Sequence, residues 1–152
     1  MAYTTPRTWN PGETVTAALM NAHLRDNLNA MSGKAIIVGF GAAGFDLVLT
    51  TGVKAYVEVP MSLRITGWSL VANESGSIVI DVWKDSWANF PPTVADTIAG
   101  SEKPTLSSAQ KNQDLSLSTW DDEIDAGDVL AFNIDSVTTV EQVTLSLHCE
   151  PR

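Results

Sequence analysis

Cysteine is nearly missing from this chain: Cys149 stands alone among 152 residues. One thiol cannot close an internal disulfide, so a stapled scaffold is excluded and stability must come from a packed core. Histidine is almost as scarce, with only His23 and His148. Two histidines and one cysteine do not furnish a zinc site within one subunit, and no metal is expected. No apolar run approaches the roughly 20 residues that cross a bilayer as a helix, so no membrane partner is expected. The first twelve residues are polar and lack a signal-type stretch, which places synthesis and assembly in the cytosol as an expectation.

Basic residues are also few. Nine Lys and Arg stand against eighteen Asp and Glu, a net charge of −9. Glu13 and Asp26 balance Arg7 and Arg25, so the whole excess lies in residues 34–152. Asn112 to Pro151 holds nine acids and no Lys or Arg. Such a surface repels phosphate backbones and argues against nucleic-acid binding. It also keeps many copies soluble and apart until a specific contact joins them. The plainer reading is a solvated acidic face with no partner.

What is present divides into two parts. Residues 1–13 read as an extended arm, because Pro6 and Pro11 restrict their neighbours and Pro11-Gly12 signals a turn. One α-helix follows, from Thr14 or Thr16 to Met31, with a Thr N-cap at one end and Gly33 past the other. Met20, Leu24, Leu28 and Met31 fall on one narrow face. A helix of this length is marginal alone in water and needs a surface, its own sheet or a partner, to pack on.

From Lys34 the period changes from 3.6 to 2. Leu63, Ile65, Gly67, Ser69 and Val71 alternate with Arg64, Thr66, Trp68 and Leu70. Ile78, Ile80 and Val82 alternate with Val79, Asp81 and Trp83; Leu130, Phe132 and Ile134 with Val129, Ala131 and Asn133. Val143, Leu145, Leu147 and Cys149 alternate with Thr144, Ser146 and His148. With Ala35–Val38, Asp46–Thr50, Ala55–Val59 and Leu115–Trp120, these make about eight strands, a mainly β chain of the β-sandwich or jelly-roll type. Asn73-Glu74-Ser75-Gly76 reads as a hairpin turn, and Asp85 to Asp114 as a long surface loop suited to making contacts.

Motifs of catalysis or cofactor binding find no context. Gly39-Phe40-Gly41-Ala42-Ala43-Gly44 matches a dinucleotide fingerprint, but strand-like residues follow where a helix must start, so it reads as a turn and no cofactor is expected. Asp121, Asp122, Glu123, Asp125 and Asp128 cluster without calcium-loop spacing and read as a polar turn. Cys149 falls on an apolar face, as an inert core thiol. No catalytic residues are assigned. Of five tryptophans, Trp68, Trp83 and Trp120 belong in or beside the core. Trp9 suits an anchor in a partner's pocket, and Trp87 with Phe90 an exposed contact loop.

Thr5-Pro6-Arg7-Thr8-Trp9, Gly12-Glu13, Val15-Thr16-Ala17-Ala18, Asn21 and Arg25-Asp26-Asn27-Leu28 together resemble an N-terminal module of small tailed-bacteriophage virion proteins and tail-fibre heads. Ile65-Thr66-Gly67-Trp68, Gly76 to Asp85, Asn89 to Thr93 and Ala126 to Leu130 resemble the β-domain of similar phage structural proteins. The resemblance implies a virion component, assembled in the host cytoplasm and commonly oligomeric. Residues 1–33 would dock and residues 34–152 would be displayed as a β-sandwich domain. The expected docking or oligomer contacts are Trp9, Met20, Leu24, Leu28 and Met31. The expected partners are further copies, as a homotrimer, and other virion proteins such as the major capsid or tail proteins. The leading role is a capsid decoration (cement) or head-fibre protein. The alternatives are a tail or baseplate fibre component, and a module binding host-surface glycan through Trp87.

Overall fold

The computed structural model describes residues 7, 8, 10–25, 27, 28, 34–41 and 47–152. The chain is mainly β, a single antiparallel sheet curled into a sandwich-like fold. Its strands are β1 (Lys34–Gly41), β2 (Gly52–Glu58), β3 (Leu63–Ser86), β4 (Thr105–Asp114), β5 (Glu123–Ile124), β6 (Asp128–Thr138) and β7 (Gln142–Pro151). The order is β1-β7-β3-β6-β2, with β4 and β5 also paired to β3.

β3 organises the sheet. Its first half, from Leu63 to Ala72, pairs with β7, and its second half, from Ser77 to Ser86, pairs with β6. β7 continues to β1 and β6 to β2, so two half-sheets share one long strand and meet at a corner near residues 73–76. The corner closes the halves on each other, and Phe40 of β1 meets Phe132 of β6 with ring centroids 6.3 Å apart. Between them lies one core that includes Ile65, Leu70, Ile80, Leu130, Phe132, Leu145 and Leu147, all essentially without exposure. Alternation holds for β7, which turns one face to that core, whereas β6 is buried on both faces from Val129 to Phe132.

Several expectations are corrected. Asn73-Glu74-Ser75-Gly76 is not a hairpin turn: it stays in β3, opposite bends at Thr139 and Glu141. Polar side chains hold the two together, with Asn73 Oδ1 accepting from Gln142 N at 3.0 Å and Thr139 Oγ1 donating to Ser75 O at 3.3 Å. Within β3, the inward set is Leu63, Ile65, Trp68 and Leu70, whereas Val71 faces solvent. A register irregularity between Ile65 and Gly67 exchanges the faces, as a β-bulge does. The expected loop from Asp85 to Asp114 contains the end of β3 and all of β4. β4 escaped the pattern because it is largely exposed, with Leu106 its one fully buried side chain. Leu115–Trp120 is not a strand, nor are residues 47–50, although Leu49 is buried and its N–H donates to Val140 O at 2.8 Å. Gly39 and Gly41 lie within β1 rather than in a turn after it; residues 42–46 are outside the described set.

The helix is less regular than its sequence implies, and its expected end at Met31 lies outside the described residues. α1 spans Ala17–Met20, with Thr16 as N-cap accepting from Leu19 N, and widens into a π-helical turn at Asn21–Arg25. Residues 27 and 28 are again helical. No helix among the described residues is long and apolar enough to cross a membrane.

Candidate functional site

Two surfaces stand out. The first is on the helix. Its shielded side carries Leu19, Ala22, His23 and Asn27, and of these Asn27 is buried. The apolar stripe is turned the other way: Met20 is 44% exposed, Leu24 52% and Leu28 66%. The described strands therefore leave this stripe open. Trp9 and Met31, the other expected contacts, lie outside the described residues.

The second surface is the outer face of the half-sheet formed by β2, β6 and the end of β3. Tyr56, Ala131 and Trp83 stand in one cross-strand row, and Glu58, Val129 and Asp85 in the next. The segment after β3 folds back over these rows. Asp85 Oδ1 accepts from Ser86 N at 2.7 Å and from Asn89 Nδ2 at 3.1 Å, fixing a 3-10 turn at Trp87–Asn89. Farther along, Thr93 and Asp96 close a capping box around a second turn, Val94–Asp96. Phe90 then meets Tyr56 edge to face, at 4.9 Å between centroids and 66° between planes.

The result is a groove of about 630 Å³ lined by Tyr56, Glu58, Trp87, Phe90 and Val129. Its aromatic residues are open: Trp87 is 70% exposed, Phe90 50% and Tyr56 47%. Trp87 and Phe90 are the pair expected as an exposed contact loop. Tyr56 and Glu58 were not singled out, since their strand carries only a short alternation in which Tyr56 is one outward residue among several.

The platform rests on a buried ionic pin. Asp81 has no exposure, and its oxygens accept from Trp83 Nε1 at 2.9 Å, Thr97 Oγ1 at 2.6 Å and Val82 N at 2.9 Å. Lys103 Nζ lies 2.8 Å from Asp81 and 2.7 Å from Asp135. Burial alone would raise the Asp81 pKa, but the donors from Lys103, Thr97 and Trp83 outweigh it and hold the carboxyl below its ordinary value. The same ion pairs, that with Asp135 first, raise Lys103. The Trp83 ring is thereby fixed in orientation by its bond to Asp81, in the same cross-strand row as Tyr56.

Other polar groups have structural duties. Glu102 accepts from the N–H and hydroxyl groups of both Ser118 and Thr119, which lowers its pKa to about 2. The acid cluster is bridged by cations: Arg64 pairs with Asp122 and Glu123, Lys84 with Asp121, and Arg152 with Glu123 and Asp125. Among the described residues no group of three or more His, Cys, Asp or Glu side chains is placed to hold a metal. Cys149 is buried, and burial pushes its thiol up to about 11, so it is protonated at neutral pH. His148 Nε2 meets Ser69 Oγ at 2.8 Å in a cross-strand contact between β7 and β3.

No protein-family model matches the chain, and no curated protein does. A solved structure of the infectious bursal disease virus Gx strain aligns over 78% of this chain at 16% identity, with a TM-score of 0.22. The chain covers 36% of that structure's chain. A likeness this low carries no argument.

Proposed function

We propose that the chain is a non-enzymatic structural component of a tailed-phage virion, displayed on the particle as a homotrimer, as a capsid decoration or head-fibre protein. The observation that carries this reading is the open stripe of Met20, Leu24 and Leu28 beside a β-core that is already closed. Exposed apolar side chains aligned on one helix face cost solvation unless a neighbour covers them. The β-domain does not supply the cover, which leaves another copy or another particle protein. The charge distribution agrees: the excess of acids lies in residues 34–152 and suits a domain held in solvent. Residues 1–33, balanced in charge, suit a docking segment. The resemblance of both parts to phage virion proteins supplies the kind of particle.

Immunogold electron microscopy of the parent particle, with antibody against residues 34–152, tests location. Gold over the head in many copies is the expected result. Gold confined to the tail tip moves the protein to the fibre or baseplate class, and unlabelled particles overturn the reading. Sedimentation of the purified chain tests the trimer.

A further inference from the structure

We propose that the groove between Tyr56, Trp87 and Phe90 binds an uncharged glycan, one pyranose ring stacking on the Trp87 face and its hydroxyls donating to the Glu58 carboxylate. The inference is independent of where on a particle the chain sits.

Three features of the groove lead to this ligand. Its aromatic rings remain accessible, although two of them touch. Phe90 meets Tyr56 edge to face at 66°, and Trp87 keeps 70% of its surface in solvent. Flat rings so presented match the apolar C–H face of a pyranose, and the volume of about 630 Å³ is in the range of small-ligand sites. Second, the platform is preorganised. Trp83, in the row of Tyr56, donates to buried Asp81, and Asp85 fixes the turn that carries Trp87. Little ordering is left for a ligand to bring about.

Third, the charge selects. Among the described residues, Glu58 is the one charged residue lining the groove, and Asp85 and Asp128 flank it at the end of β3 and the start of β6. A carboxylate with no cation beside it among the described lining residues accepts hydrogen bonds from hydroxyls and repels carboxylate- or sulfate-bearing sugars. The complementary occupant is rich in donors and carries no negative charge. An all-proline polyproline II peptide also fits aromatic grooves, but its backbone has no N–H to offer Glu58.

The test is an NMR titration of the full chain with defined probes: maltohexaose, cellohexaose, mannohexaose, chitohexaose, lacto-N-neotetraose, tetragalacturonic acid and a ten-proline peptide. At least one neutral oligosaccharide is expected to shift the signals of Tyr56, Trp87 and Phe90. Trp87→Ala is expected to weaken it by about tenfold or more, as loss of a central aromatic anchor does. Trp87→Phe should recover part of that loss. Because Trp87 is largely exposed, both variants keep the fold, which circular dichroism verifies. Tetragalacturonic acid should bind at least about tenfold more weakly than the neutral probe, given the uncompensated carboxylate. The proposal is overturned if no neutral oligosaccharide binds, if binding survives Trp87→Ala, if the acidic sugar binds equally well, or if only the peptide binds.

Discussion

A carboxylate without exposure persists in a sheet only if its oxygens are answered, and Asp81 meets that condition through Val82 N–H, Thr97 hydroxyl, Trp83 Nε1–H and the Lys103 ammonium. Removing it strands the Trp83 and Thr97 donors and leaves Lys103 with Asp135 alone. Asp81→Ala should cost about 3–5 kcal/mol, the range for breaking a buried ion pair, read from urea unfolding. Asp81→Asn should cost less, because Lys103 keeps Asp135 and the amide oxygen still accepts. Glu102 gives a different signature. Its carboxyl lies at about 2 in the fold against an ordinary 4.5, through the donors of Ser118 and Thr119. A depressed carboxyl contributes stability that is complete above its unfolded value and lost as the pH falls through the folded one. Glu102→Gln should therefore be less stable than the parent at pH 7, with the gap narrowing between about pH 4.5 and about 2. Thermal melts across that window check the sign; a gap that stays constant would contradict it.

The corner of β3 shows what alternation can and cannot reveal at the scale of an element. Gly76 sits where a Cβ would come within 2.5 Å of Val140 Cγ2, 2.6 Å of Thr139 Oγ1 and 2.9 Å of Thr138 O. The last of these is backbone and cannot swing aside. Gly76→Ala should destabilise by about 1–3 kcal/mol, seen as a lower urea midpoint at unchanged slope. The corner also holds Thr139 at φ +67, a left-handed conformation that its bond to Ser75 O helps to fix. None of this is visible in Asn73-Glu74-Ser75-Gly76, whose composition is that of a turn. β7 was legible because its inward residues run unbroken from Val143 to Cys149. The first half of β3 was not, because a bulge after Ile65 moves Trp68 and Leu70 inward. β4 was hidden because an exposed strand has no reason to alternate. Of the groove, Trp87 and Phe90 could be picked out as aromatics in a polar, proline-containing stretch. Tyr56 and Glu58 join them only through the register of β2 against β6, which no local pattern encodes.

At the scale of the whole molecule, the core and the helix stripe are separable. Among the described residues, the buried cluster draws on the strands, on Val59 and Val140 at their ends, and on Leu49, Ile98, Ala99 and Trp120 of the connecting segments, but on no fully buried residue before Val38. The stripe of Met20, Leu24 and Leu28 contributes nothing to that cluster. Replacing all three by serine should thus leave the melting of the β-domain nearly unchanged, within the roughly 0.5 kcal/mol typical of exposed substitutions. If the stripe is the docking face, the same variant should lose attachment or assembly, because its apolar area is what a partner would bury. Sedimentation velocity reads assembly and pull-down with purified particles reads attachment. A monomeric, non-attaching variant with parental melting supports docking through the helix. Should the variant melt well below the parent, the stripe would be part of the domain's own packing, and the helix would have to be regarded as a folded-back element of the sheet.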